Sequence, residues 1–131
     1  ILSMAAWKLG FRPVFAFDHD SQAVAVARDH MAQLGCGAGE VEVTQSELAD
    51  YRPPVACRVV IANILAPVLE RNAECLVGFL DDTVDRGFLI LSGILTKQFP
   101  SVKKRFEKLG LRESERRSID EWTTGCFVQE R

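Results

Sequence analysis

One stretch restricts the fold more than any other: Arg58 to Pro67, reading R-V-V-I-A-N-I-L-A-P. Val59 to Ala62 form a continuous apolar run, too short for a typical helix and rich in β-branched side chains, which is the pattern of a strand buried on both faces. The run meets Asn63, the only side chain from Val59 to Val68 with a hydrogen-bonding head group. An amide at the carboxyl end of a buried parallel strand stands where open α/β sheets bind ligands. It also stands where a side chain can cap the following helix, and position alone leaves both roles open. Pro67 then opens that helix, because a first turn has no need of the missing N–H.

The flanking sequence repeats the same alternation. Ile1 to Leu9 is a good helix former stopped by Gly10, and with no N-cap in front of it the chain reads as a fragment that begins inside a helix. Val14 to Phe17 follow as a short buried strand, then Asp18-His19-Asp20. Asp20 or Ser21 caps a helix from Gln22 to Leu34, whose apolar positions Ala23, Val24, Ala27, Met31 and Leu34 keep the helical period. Val41 to Thr44 alternate as a half-exposed strand, and Leu48 to Cys57, with Pro53-Pro54, reads as a loop with one turn. Beyond Asn63 the apolar positions Val68, Leu69, Ala73, Leu76, Val77 and Leu80 predict one helix reaching Leu80, followed by a buried strand Phe88 to Leu91 that ends at Ser92-Gly93. A helix from about Lys97 to Leu109 carries Pro100 in its first turn, and Lys103, Lys104, Arg105 and Lys108 read as its solvated face. Leu111 to Ile119 and Trp122 to Gln129 lie too close together for a helical crossover, so they predict an antiparallel hairpin. The fold class is α/β, a doubly wound, mostly parallel sheet closed by a C-terminal hairpin, in one domain over residues 1–131.

Composition removes several function classes. With 16 basic and 18 acidic residues and a formal net charge of -2, the chain is not built mainly to hold a nucleic-acid backbone. No apolar run approaches a membrane span, and Ile1 to Leu9 lacks the features of a signal peptide. Cys36, Cys57, Cys75 and Cys126 show no C-x-x-C pair and no histidine at metal spacing, so they read as reduced packing thiols in a cytoplasmic protein, with no metal expected.

Three positions carry the candidate chemistry. Asp18, just past its strand, is placed to accept both hydroxyls of a ribose, a role favoured over simple capping of the next helix. Ser46 and Glu47 lie past the following strand, where an adenine edge would reach, although a surface loop accounts for them equally well. Asn63 is the third. His19 and His30 read as solvent-facing, and Trp7, Trp122 and most phenylalanines as core. These groups lead to the expectation that the carboxylate of Asp18 and the carboxamide of Asn63 face one crevice along the rim of a parallel sheet.

The order I-L-S-M-A-A-W-K-L-G, F-D-H-D-S-Q-A-V, V-V-I-A-N-I-L-A-P-V-L, L-I-L-S-G-I-L and D-E-W resembles the catalytic domain of the PrmA family across essentially the whole chain. The N-I-L-A and S-G-I-L pair carries most of that resemblance, since the Asp18 pattern is shared by class I methyltransferases at large. The resemblance implies a Rossmann-like class I methyltransferase that uses S-adenosylmethionine to methylate lysine side chains and the N-terminal amine of large-subunit ribosomal protein eleven. It also implies a first strand and glycine-rich loop in the middle of the sheet, both absent here because they fall before Ile1. On the same basis Asp18 meets the cofactor ribose, Ser46 or Glu47 the adenine, and Asn63 the sulfonium and the incoming amine, with Ile64 and Leu65 lining the opening. Two alternatives stand: a nicotinamide-dependent Rossmann oxidoreductase, whose ribose Asp18 would serve as well, and an inactive fragment with no catalysis of its own.

Overall fold

The computed structural model describes residues 1–130 and divides into two compact units, residues 1–52 and residues from 53 onward. In the first unit, α1 (Leu2–Lys8) leads to β1 (Val14–Asp18), α2 (Ser21–Gln33) and β2 (Val41–Gln45). β1 and β2 run parallel in register from Val14 opposite Val41 to Asp18 opposite Gln45. The helix period read from the sequence is the observed one, with Val24 and Met31 of α2 buried and Ala23, Ala27 and Leu34 half-buried. Glu40 ties the unit together. Its Oε2 accepts from the indole Nε1 of Trp7 at 2.9 Å and from the Gly37 N–H at 2.8 Å, and its other oxygen stands 3.5 Å from Arg12. These bonds hold the Glu40 carboxyl below the usual range, the Gly37 N–H contributing most.

The second unit contains β3 (Val59–Asn63), α3 (Ala66–Arg71), α4 (Ala73–Val77), β4 (Arg86–Leu95), α5 (Phe99–Glu107), β5 (Arg112–Ile119) and β6 (Trp122–Glu130). Its four strands are ordered β3-β4-β6-β5, parallel between β3 and β4 and antiparallel elsewhere. The closing hairpin is therefore present, with its tip at Asp120-Glu121 and Asp120 in the left-handed region at φ 52. Leu89, Leu91, Ile94, Val102, Phe106 and Phe127 have no exposed surface, and Phe127 stacks on Phe99 at a centroid distance of 6.2 Å and meets the tilted ring of Phe106 at 6.0 Å. Gly125 makes room for this, because a Cβ there would stand 2.7 Å from the Phe99 ring.

Several expectations need correction. The helix read from Pro67 to Leu80 is broken at Asn72, whose side chain donates to the Val68 carbonyl at 2.9 Å while its own backbone leaves helical geometry. The strand read as Phe88 to Leu91 runs on to Leu95, because Ser92 and Gly93 form a bulge rather than an end and pairing with β6 resumes at Ile94. β3 is not buried on both faces, since only Ala62 is buried and Ile61 is 40% exposed. The physical reason is its place at the end of the strand order, with β4 its only ladder partner among the described residues. The strands covered most completely are β4 and β6, with four buried residues each. In the first unit likewise only Val14 of β1 is buried, as β1 pairs among the described residues with β2 alone. Trp122, read as core, is 46% exposed beside the hairpin tip. The lysines and arginines of α5 are not simply solvated: Lys103 pairs with Glu113 at 2.7 Å and Arg105 with Glu74 of α4. The four cysteines are half-buried and unbridged.

Candidate functional site

Each parallel pair ends in polar residues at its carboxyl-terminal rim. At the end of β1 and β2, the Ser46 N–H donates to the Asp18 carbonyl at 3.0 Å, which brings two predicted residues side by side. The Asp18 carboxylate, about half exposed, accepts the Asp20 N–H on Oδ1 at 2.9 Å and stands 3.4 Å from His19 Nδ1. Its Oδ2 has no hydrogen-bond partner among the described residues. The helix cap is Asp20, which accepts the Gln22 N–H at 2.9 Å. The ambiguity left by the sequence is thus divided between two acids: Asp20 caps, while Asp18 holds the turn with one oxygen and keeps the other open. The Ser46 hydroxyl donates to the Glu47 carbonyl at 3.0 Å, and the Glu47 side chain is exposed and unpaired among the described residues.

Where β3 ends, Asn63 stands opposite Ser92 of β4. Asn63 does not cap α3: the cap position is Leu65, with no side-chain bond. The Asn63 head group is exposed and makes no hydrogen bond to any described residue. Its Oδ1 lies against the bare backbone of Gly93, where a Cβ would stand 2.8 Å away. Ile64 is half-buried and Leu65 is 66% exposed. On the far side of Ser92, its hydroxyl shares a hydrogen bond of 2.8 Å with Thr124 of β6. Ser92 and Gly93 were not singled out from the sequence as site residues, although a glycine inside a strand pattern is a known sign of a bulge or a close backbone approach.

The donor set suits a nucleoside ligand. An open carboxylate oxygen on Asp18 can accept ribose hydroxyls, and Ser46 and Glu47 offer further polar contacts beside it. Among the described residues no group of three or more His, Cys, Asp or Glu is placed to hold a metal ion. The hollow of about 440 Å³ on β4, β5 and β6, lined by Ile90, Arg116, Trp122 and Cys126 among others, includes none of the predicted site residues.

The sequence pattern of the family described as ribosomal protein L11 methyltransferase (PrmA) matches residues 1–130. The ribosomal protein L11 methyltransferase of Geotalea uraniireducens is 42% identical over 123 residues, covering 94% of this chain and 37% of that protein. This chain therefore spans well under half the length of that relative. In fold it is similar to the ribosomal protein L11 methylase of Lactobacillus delbrueckii subsp. bulgaricus, with a TM-score of 0.85 at 24% identity over 99% of this chain and 65% of that one. The N-methyltransferase NodS of Bradyrhizobium japonicum, solved with S-adenosyl-L-homocysteine, shares the fold at a TM-score of 0.64 and 12% identity over 88% of this chain and 65% of that one. These relatives are methyltransferases, and nothing among them supports the nicotinamide-dependent alternative. The chain belongs to the ribosomal protein L11 methyltransferase (PrmA) family.

Proposed function

We propose that this chain is a catalytic portion of an S-adenosylmethionine-dependent protein methyltransferase that modifies amines, lysine side chains or an N-terminal amine, of ribosomal protein L11. The observation that carries the reading is the family match over residues 1–130. When bound, S-adenosylmethionine supplies a methyl group on a sulfonium, a good leaving group for in-line displacement. The protein's task is then to align the nucleophile and exclude water. Asp18 accepts the ribose hydroxyls through Oδ2, with Oδ1 already fixed by the Asp20 N–H. Ser46 and Glu47 contact the adenine edge. Asn63 accepts one hydrogen of the incoming amine on its carboxamide oxygen and so aims the nitrogen lone pair. Ile64 and Leu65 give the opening an apolar lining that disfavours the charged ammonium and delivers the amine neutral. The protein works in the cytoplasm, where ribosomal proteins are made, and no helix among the described residues is long and apolar enough to cross a membrane.

The test uses a chimera in which this chain replaces the matching region of the Geotalea uraniireducens relative. The chimera is expected to transfer tritiated methyl groups from S-adenosylmethionine to L11. Loss of a hydrogen bond that orients the nucleophile predicts that Asn63→Ala lowers kcat by roughly 10- to 100-fold. Normal turnover in that variant would remove Asn63 from the mechanism.

A further inference from the structure

Gly93 stands in the bulge of β4 at φ +76, beside the parallel register that sets Ser92 opposite Asn63. A Cβ at this position would meet Asn63 Oδ1 at 2.8 Å, the Ile64 carbonyl oxygen at 3.1 Å and the Ile64 nitrogen at 3.3 Å. The Ile64 atoms belong to backbone and yield little, so the side chain that would have to give way is the carboxamide of Asn63. No described hydrogen bond holds that head group elsewhere. A side chain at position 93 would therefore push that head group aside, and the bare backbone of Gly93 leaves it room.

We infer that Gly93 is a positioning residue for methyl transfer: its missing side chain sets where the Asn63 carboxamide lies and hence the direction from which the amine is presented. This rests on the role proposed for Asn63. The bulge has a purpose on this view, since it turns the chain so that bare backbone, rather than a side chain, faces the end of β3.

The experiment measures kcat, KM and melting temperature in the chimera for Gly93→Ala, Asn63→Ala, the pair of them, and Gly110→Ala. Gly110 is the control for backbone strain, because it has φ +88 but nothing within 4 Å of an added Cβ. Misplacing the aligning group predicts a kcat roughly 10- to 100-fold lower in Gly93→Ala, with KM for S-adenosylmethionine changed by less than about twofold. Gly110→Ala is expected to lower the melting temperature and leave kcat unchanged. In the Asn63→Ala background, Gly93→Ala should cost no further kcat. A slow Asn63→Ala enzyme in which Gly93→Ala multiplies the loss in full, or an equal loss of kcat in Gly110→Ala, would overturn the inference while leaving the role of Asn63 standing. Full turnover in Asn63→Ala would overturn both. Should Gly93→Ala not fold, Asn63→Gly with Gly93→Ala removes the 2.8 Å collision and leaves only the approaches of 3.1 and 3.3 Å to the Ile64 backbone and the strain that Gly110→Ala shares. That pair is expected to fold with the kcat of Asn63→Gly alone, and its failure to fold would also overturn the inference.

Discussion

Asp18 and Asp20 flank His19 and carry the same functional group, yet the structure gives them different work. Asp20 spends its carboxylate on the first turn of α2, and Asp18 spends half of its own on presenting Asp20. Loss of a cap predicts that Asp20→Ala lowers stability by about 1 kcal/mol. Affinity for S-adenosylmethionine should be unchanged, as thermal denaturation beside ligand titration would show. An acid at the end of the first strand was legible in the sequence, because strand, acid and helix follow one another in simple order. Which acid caps was not, since that depends on a turn closed by one backbone N–H. Asn63 shows the same limit. Its position at a strand end was readable, but that it does not cap α3 was not, because the cap position falls at Leu65, two residues farther on. Ser92 and Gly93 enter the site only through the β3–β4 register, which no local pattern contains.

The helices were the most legible elements, because their apolar period is local and Gly10, Gly35 and Gly110, all at positive φ, mark where three of them stop. Strand lengths and burial were less so. β4 continues past Gly93 because β6 supplies a partner there, and β3 is only partly covered because β4 is its sole partner. The α5–β5 contact was hidden for a similar reason, as charges that look solvated in the sequence are paired across elements. Glu113 of β5, with a side chain only 11% exposed, accepts from Arg116 and meets Lys103 of α5 at 2.7 Å. The Arg116 bonds, aided by Lys103 and opposed by burial, hold its carboxyl down to about 2 from the usual 4.5. Because the folded value is the lower one, this stabilisation is complete above about pH 4.5 and is lost as pH falls toward about 2. With both cationic partners part-exposed, its size is on the order of 1–2 kcal/mol. Glu113→Gln should therefore flatten the fall in denaturant midpoint across that acid window, and an unaltered pH profile would show that the pairing contributes nothing.

At the level of the chain, the α/β class, the parallel pairing of β1 with β2 and of β3 with β4, and the closing hairpin all followed from the alternation of apolar runs with helical stretches. The division of the strands into a two-stranded and a four-stranded sheet was not visible in any single segment. β1 and β3 each pair on one side only among the described residues, a property of the whole set of strands rather than of either sequence. Family membership supplies the chemistry proposed for the rim that carries Asp18. If Asp18 receives a cofactor ribose, the affinity for that cofactor depends on a single open carboxylate oxygen, and hydrogen bonds to a charged group are each worth about 1.5–3 kcal/mol. The decisive measurement is calorimetric titration of S-adenosylmethionine and of NAD into the chimera and into its Asp18→Ala variant. The predicted result is binding of S-adenosylmethionine but not NAD, weakened roughly 10- to 100-fold by Asp18→Ala. Binding of NAD, binding of neither, or an Asp18→Ala variant that takes up S-adenosylmethionine as tightly as the parent would contradict it.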